Sequence, residues 1–148
     1  MTPYDLIRAQ LGENVPFARH AGIVLVEIGE GRSSARLDET PQSINHVGSQ
    51  HAGALFTLGE TASGAAMAGL FADRILAVRP LATQATIAYK KIARGTITAL
   101  AAVAGDAAAL RAALERDGRV RFDVDVSLAD QRGVEVATMK VEWDVKKL

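Results

Sequence analysis

The sequence predicts an α+β fold in which a curved antiparallel sheet of about six strands wraps around one long central helix. Three observations predict it. The β-leaning runs are separated mainly by short turn signals, which favours antiparallel neighbours joined as hairpins. One segment, Ala52 to Phe71, keeps helical spacing and yet is apolar on nearly every side, so it has to be buried inside protein. Aromatic residues supply only 5 % of the 148 positions while alanine supplies 27, and small side chains let backbones approach closely.

The elements follow in the order α β β α β β α β β. Tyr4 to Leu11 carries Leu6, Ile7 and Leu11 at helical spacing, and Gly12 ends it. Pro16 and Phe17 begin a connection. Gly22 to Ile28 and Ser33 to Leu37 read as a hairpin about Gly29-Glu30-Gly31. Asp38 to Gln50 is polar and irregular. The long helix follows, with Leu55, Leu58, Ala62, Ala65, Ala66 and Gly69 in helical register. Thr83 to Ile92 and Thr96 to Val103 are strands split by Arg94-Gly95. Asp106 is placed to cap a helix from Ala107 to Glu115, and Gly118 to stop it. Val120 to Leu128 alternates strictly between apolar and polar residues, as a half-buried strand does. Asp130 to Gly133 turns the chain into a last strand, Val134 to Val145, with Ala137, Met139, Val141 and Trp143 on one face.

Composition excludes several functions. Seventeen basic residues balance seventeen acidic ones, which argues against nucleic acid or an anionic membrane as the main partner. Without cysteine there is no disulfide, no thiolate chemistry and no Cys-based metal centre. That absence fits a reducing cytosol, so a cytoplasmic protein is expected. The first residues lack the basic and apolar regions of a signal peptide. Glu60 and four glycines interrupt the apolar helix, so it is not a membrane span. No repeat or linker appears, and residues 1–148 are expected to form a single domain.

The chemistry concentrates between Asn45 and Glu60. Glu60 is the only charged residue between His51 and Asp73. Desolvation raises the pKa of such a carboxyl, which suits a general base near neutral pH. The alternative is that Glu60 lies where the helix meets water. At the helix start, free N–H groups of Ala52 and Gly53 and the helix dipole favour a developing negative charge, the requirement of an oxyanion hole. Glu60 lies about 12 Å further along the same axis. One helix cannot easily bring both to one substrate atom, so two helices side by side in a dimer are expected to supply one component each. His46 and His51 match no common zinc spacing and no third ligand is evident, so no metal is expected. Lys90, Lys91 and Arg94 are either the charged guard of an edge strand or an anchor for ligand phosphates.

Asn45, His51-Ala52-Gly53 and Glu60 together resemble the active-site segment of hotdog-fold acyl-CoA thioesterases, especially the phenylacetate-degradation type and its relatives grouped as a domain of unknown function. The run Ile87 to Gly95 is similar to the family's strand ending in a basic turn, and the element order agrees along most of the chain. The resemblance implies a hotdog fold and hydrolysis of an acyl-CoA thioester, with coenzyme A entering as part of the substrate and no separate cofactor. It implies that the Ala52 N–H polarises the carbonyl, with Gly53 beside it. Glu60 of the facing protomer would act as base or nucleophile, Asn45 would hold water or carbonyl, and His51 would shape the helix start. Lys90, Lys91 and Arg94 would meet the CoA phosphates. The family's first glycine is Ala52 here. Where some relatives place Thr or Ser one turn after the acid, this chain has Gly64 with Ser63 beside it, and both are candidate substrate-binding positions. The expected assembly is a homodimer or a dimer of dimers. The alternatives are an acyl-CoA- or fatty-acyl-binding module without turnover and, further off, a hotdog dehydratase.

Overall fold

The computed structural model describes all residues from Met1 to Leu148. Helix α1 spans Pro3–Asn14 and α2 spans Pro16–His20. The hairpin β1 (Ile23–Gly29) and β2 (Arg32–Leu37) precedes the central helix α3 (Ala52–Leu70). A single 3-10 turn, Ile75–Ala77, leads into β3 (Val78–Tyr89), and β4 (Ile97–Val103), α4 (Ala107–Asp117), β5 (Arg119–Ala129) and β6 (Glu135–Lys147) complete the chain. All six strands form one antiparallel sheet in the order β1-β2-β4-β5-β6-β3. This is the sheet-around-helix architecture the sequence predicts. No helix is long and apolar enough to cross a membrane.

The core lies between the inner face of the sheet and α3. Val120, Phe122, Val124, Val126 and Leu128 of β5 all point inward, as their alternation requires. On β6 a register shift opposite Leu128 and Ala129 buries Val136 and Ala137 in succession, before alternation resumes through Met139, Val141, Trp143 and Val145. From Ala65 to Phe71 every residue of α3 and its C-terminal cap is buried. Small residues make this possible: at Gly69 the helix backbone runs directly against the Gly29 carbonyl at the end of β1, leaving no room for a Cβ. The N-terminal half differs. Ala54, Phe56, Thr57, Glu60, Thr61 and Gly64 are only partly buried, so α3 is open along one stripe rather than enclosed all round.

Five expectations are corrected. The first helix does not end at Gly12 but runs on to Asn14, where Pro16 soon follows. Pro16 and Phe17 do not start a simple connection: they open the short helix α2, whose five residues are too few to show periodicity. The third strand runs from Val78 to Tyr89 rather than from Thr83 to Ile92. Pro80 hid its beginning, and the position of β3 explains why proline is tolerated: β3 is an edge strand. Nor do β3 and β4 form a hairpin. β3 pairs with β6 at one end of the sheet, whereas β4 lies between β2 and β5. Finally, the central helix ends at Leu70, with Phe71 as its cap.

Two glycine substitutions in α3 separate rigid from yielding contacts. A Cβ at Gly59 would meet the Met139 sulfur at 2.5 Å, the end of a flexible side chain that can turn aside. A Cβ at Gly69 would fall on backbone that cannot. Thermal unfolding is expected to show Gly69→Ala destabilised by roughly 1–3 kcal/mol. Gly59→Ala should stay close to the parent, because the gain in helix propensity of up to about 1 kcal/mol offsets the adjustment.

Candidate active site

The loop before α3 is fixed by its own polar groups. Asn45 Oδ1 accepts hydrogen bonds from the backbone N–H of Val47 (3.0 Å) and Ser49 (3.1 Å), and the Asn45 N–H donates to the Ser49 carbonyl (2.8 Å). Two donors aimed at one side-chain atom identify that atom as the oxygen. The Asn45 amide therefore presents its NH2 group, which has no partner within the chain. Ser49 Oγ donates to the Ala93 carbonyl (3.1 Å) and accepts from the Ala93 N–H (3.2 Å). Gln50 adds its N–H to Ala93 O (2.7 Å) and its Nε2 to Gly95 O (2.9 Å). Its Oε1 is buried without a partner. This clasp holds the basic segment after β3 against the loop that leads into α3.

His51 is the N-cap of α3. Its backbone is extended, and Nδ1 accepts from the Gly53 N–H at 2.8 Å. That corrects one expectation: the Gly53 N–H is already used. The Ala52 N–H, by contrast, has no acceptor in the chain and sits where the helix dipole is positive. Gly53 fits beneath the imidazole, where a Cβ would come within 3.1 Å of Nδ1. Beside the helix start lies a cleft of about 470 Å³ between α2 and α3, lined by Phe17, His20, Thr40, Ser43, His51 and Thr57 among others. Apart from His51, sequence reasoning missed this lining, which is drawn from three separate segments with no shared pattern.

Glu60 is on the open stripe of α3, with Thr57 one turn before it and Gly64 one turn after. Burial among apolar neighbours raises its carboxyl above the ordinary carboxylate value, and no cation or hydrogen-bond donor counters the shift. A Cβ added at Gly64 would come into contact with the Trp143 ring. Ser63 is turned away from the stripe: it is fully buried, donates from Oγ to the Glu60 carbonyl (2.7 Å) and accepts from Trp143 Nε1 (3.2 Å). It is a core residue that anchors the helix beneath Glu60, and no ligand can reach it.

The basic residues divide. Lys90 Nζ is paired with Glu135 (2.8 Å), and Arg94 leans on the loop through the Gly48 carbonyl (3.3 Å). Lys91 has no partner in the chain and is exposed. His46 is exposed on the loop, and no three His, Asp or Glu side chains converge on one point.

Residues 5–145 match the family described as Domain of unknown function (DUF4442). The chain belongs to that family. Among solved structures it is similar to a Pseudomonas aeruginosa protein of unknown function described as a probable thioesterase, at 25 % identity and a TM-score of 0.85 over 99 % of this chain and 97 % of that one. It is also similar to the Escherichia coli PaaI protein of the phenylacetic acid degradation operon, at 22 % identity and a TM-score of 0.73 over 99 % and 94 % of the two chains. A Streptococcus mutans protein bound to acetyl-CoA has a TM-score of 0.66 at 23 % identity, over 84 % of this chain and 89 % of that one. No curated protein matches at the sequence level. The DUF4442 chain thus has the hotdog fold of the thioesterases it resembles.

The raised Glu60 carboxyl links stability to pH. Unfolded, it titrates near the ordinary 4.5; folded, it titrates higher. Between those values the folded state holds the extra proton, so this group's contribution to stability declines as pH rises through the window and levels off above it. Glu60→Gln removes the contribution. The melting temperature of the Gln variant relative to the parent should climb from pH 4.5 towards neutrality and then stay constant, as calorimetry across that range would register.

Proposed function

We propose that this DUF4442 protein is an acyl-CoA thioesterase whose site is completed across a homodimer. The observation that carries the reading is the pairing of two features on one helix: a carboxyl held in apolar surroundings and an unpaired N–H at the helix start. Glu60 takes a proton from water, and the hydroxide adds to the thioester carbonyl carbon. The Ala52 N–H stabilises the oxyanion that forms. The C–S bond then breaks, the proton returns to the CoA sulfur, and a carboxylic acid and free thiol leave. The same carboxylate attacking directly would give an anhydride that water opens to the same products. Asn45 donates from its NH2 to the carbonyl or to the attacking water. Lys91, which has no side-chain partner, and Arg94 would meet the CoA phosphates, while Lys90 already pairs with Glu135.

The edge strand and the distance between the two components support the dimer. β3 is twelve residues long, unpaired along one side, and exposes Leu81 and Tyr89, with Ile92 just beyond it. Such an edge invites a second strand. Antiparallel pairing of two β3 strands would set two α3 helices side by side. The base of one protomer would then face the helix start of the other, bridging the roughly 12 Å that separates them within a chain.

Release of free thiol from short, long and aromatic acyl-CoAs tests the chemistry. Glu60→Gln is expected to lower kcat by roughly 10²- to 10⁴-fold with the fold retained. An active Gln variant would overturn the assignment, and tight binding of acyl-CoA with no thiol released by the parent would support a non-catalytic binding module instead. Sedimentation at micromolar concentration should give a dimer or a multiple of it; a monomer would contradict the shared site.

A further inference from the structure

Tyr89, the last residue of β3, donates from its hydroxyl to the Ala52 carbonyl at 3.0 Å. That carbonyl and the Gly53 N–H belong to the same peptide group, and the Gly53 N–H donates to His51 Nδ1 at 2.8 Å. A single peptide at the start of α3 is therefore held at both ends by side chains. The hydrogen bonds run in one direction, from the phenol through the peptide to the imidazole, so each polarises the next. The seat is close-fitting: a Cβ on Gly53 would press on the ring at Nδ1 (3.1 Å) and Cε1 (3.4 Å).

The arrangement fixes the chemistry of His51. A ring nitrogen that accepts carries no hydrogen, so the neutral imidazole holds its hydrogen on Nε2. Nε2–H has no partner within the chain, and His51 is exposed beside the unpaired Ala52 N–H. Partial burial raises the Tyr89 phenol, which keeps it a donor throughout the neutral range.

We propose that Tyr89 is a positioning residue for the candidate active site: by anchoring the Ala52–Gly53 peptide it locks His51 in the Nε2–H tautomer, with that donor turned towards the bound thioester. This rests on the thioesterase reading for its consequence in turnover, and on the hydrogen bonds alone for the lock. It also gives β3 a second task, since the strand proposed to join two protomers ends in the residue that sets the helix start.

Tyr89→Phe removes one oxygen and keeps the ring. Imidazole ¹⁵N shifts, assigned with His51→Asn, should show a single Nε2–H tautomer in the parent and a mixture in Tyr89→Phe. In acyl-CoA hydrolysis kcat should fall roughly five- to tenfold, the worth of one hydrogen bond, with KM little changed. His51→Asn keeps an N-cap but lacks the outward ring donor. Adding Tyr89→Phe to it should cost no further activity, because Tyr89 acts through His51. A Tyr89→Phe protein that keeps both the single tautomer and the parental kcat overturns the proposal, as does a full additional loss in the double variant. If the lock is present in the parent and lost in Tyr89→Phe but no acyl-CoA is hydrolysed, the lock stands and the thioesterase reading falls.

Discussion

The structure depends on enclosing one helix within a sheet of only six strands. A helix of nineteen residues is roughly 28 Å long, and a sheet can curve closely around it only if the helix surface is nearly flush with its backbone. Ala62, Ala65, Ala66, Ala68 and Gly69 provide that surface, and β1 and β2 approach accordingly. Larger side chains come from both sides: Leu55, Leu58, Met67, Leu70 and the cap Phe71 from the helix, and Phe122, Met139 and Trp143 from the strands. The scarcity of aromatics and the abundance of alanine are thus one constraint seen twice.

Enclosure is incomplete, and the incompleteness defines the site. The sheet closes over the C-terminal half of α3 but leaves a stripe of its N-terminal half partly open. Glu60 lies in that stripe, deep enough to lose water and without a counter-charge. The helix dipole does not rescue its ionised form, because that field fades within the first turn and Glu60 is more than two turns in. The unpaired N–H groups lie within that first turn. The fold therefore keeps a carboxyl with a raised pKa and unpaired N–H groups on one element while holding their electrostatics apart. Had Glu60 been near the N-terminus, the dipole would have lowered its pKa.

Most of this architecture was legible in the sequence wherever periodicity was long. The twofold alternation of Val120 to Leu128 and the all-round apolar α3 determined β5 and the central helix almost to the residue. What failed was short or non-local. Five residues of α2 carry no period, and the true partners of β3 and β4 depend on which strands the sheet can accommodate, not on the turn between them. The candidate site was legible as residue types: an isolated acid, small residues at a helix start, and a polar loop. It was not legible as hydrogen bonding. That Ser63 faces Trp143, that Gly53 gives its N–H to His51, and that Lys90 is held by Glu135 follow from side-chain directions that spacing does not encode. Tyr89 escaped notice because its partner is a backbone carbonyl 37 positions away.

Under the proposed hydrolysis, the groups left unpaired at the start of α3 take on a role that passive ligand binding would not give them. The loop from Ser43 to His51 uses nearly every polar group it has: the Asn45 oxygen, the Ser49 hydroxyl, the Gln50 N–H and amide nitrogen, and the His51 Nδ1 are all engaged. Around the helix start it leaves the Asn45 NH2, the Ala52 N–H and the His51 Nε2–H unpaired, all three donors, with the His46 imidazole exposed further out on the loop. An acyl-binding pocket needs shape and apolar surface, with mixed polarity at its mouth. Three donors grouped at the positive end of a helix would match an oxygen that is gaining negative charge. Such a group gains most when charge appears during a reaction, because its orientation is set beforehand by the loop. The methyl of Ala52 leaves this intact, since it stands on an exposed residue and the donor is backbone.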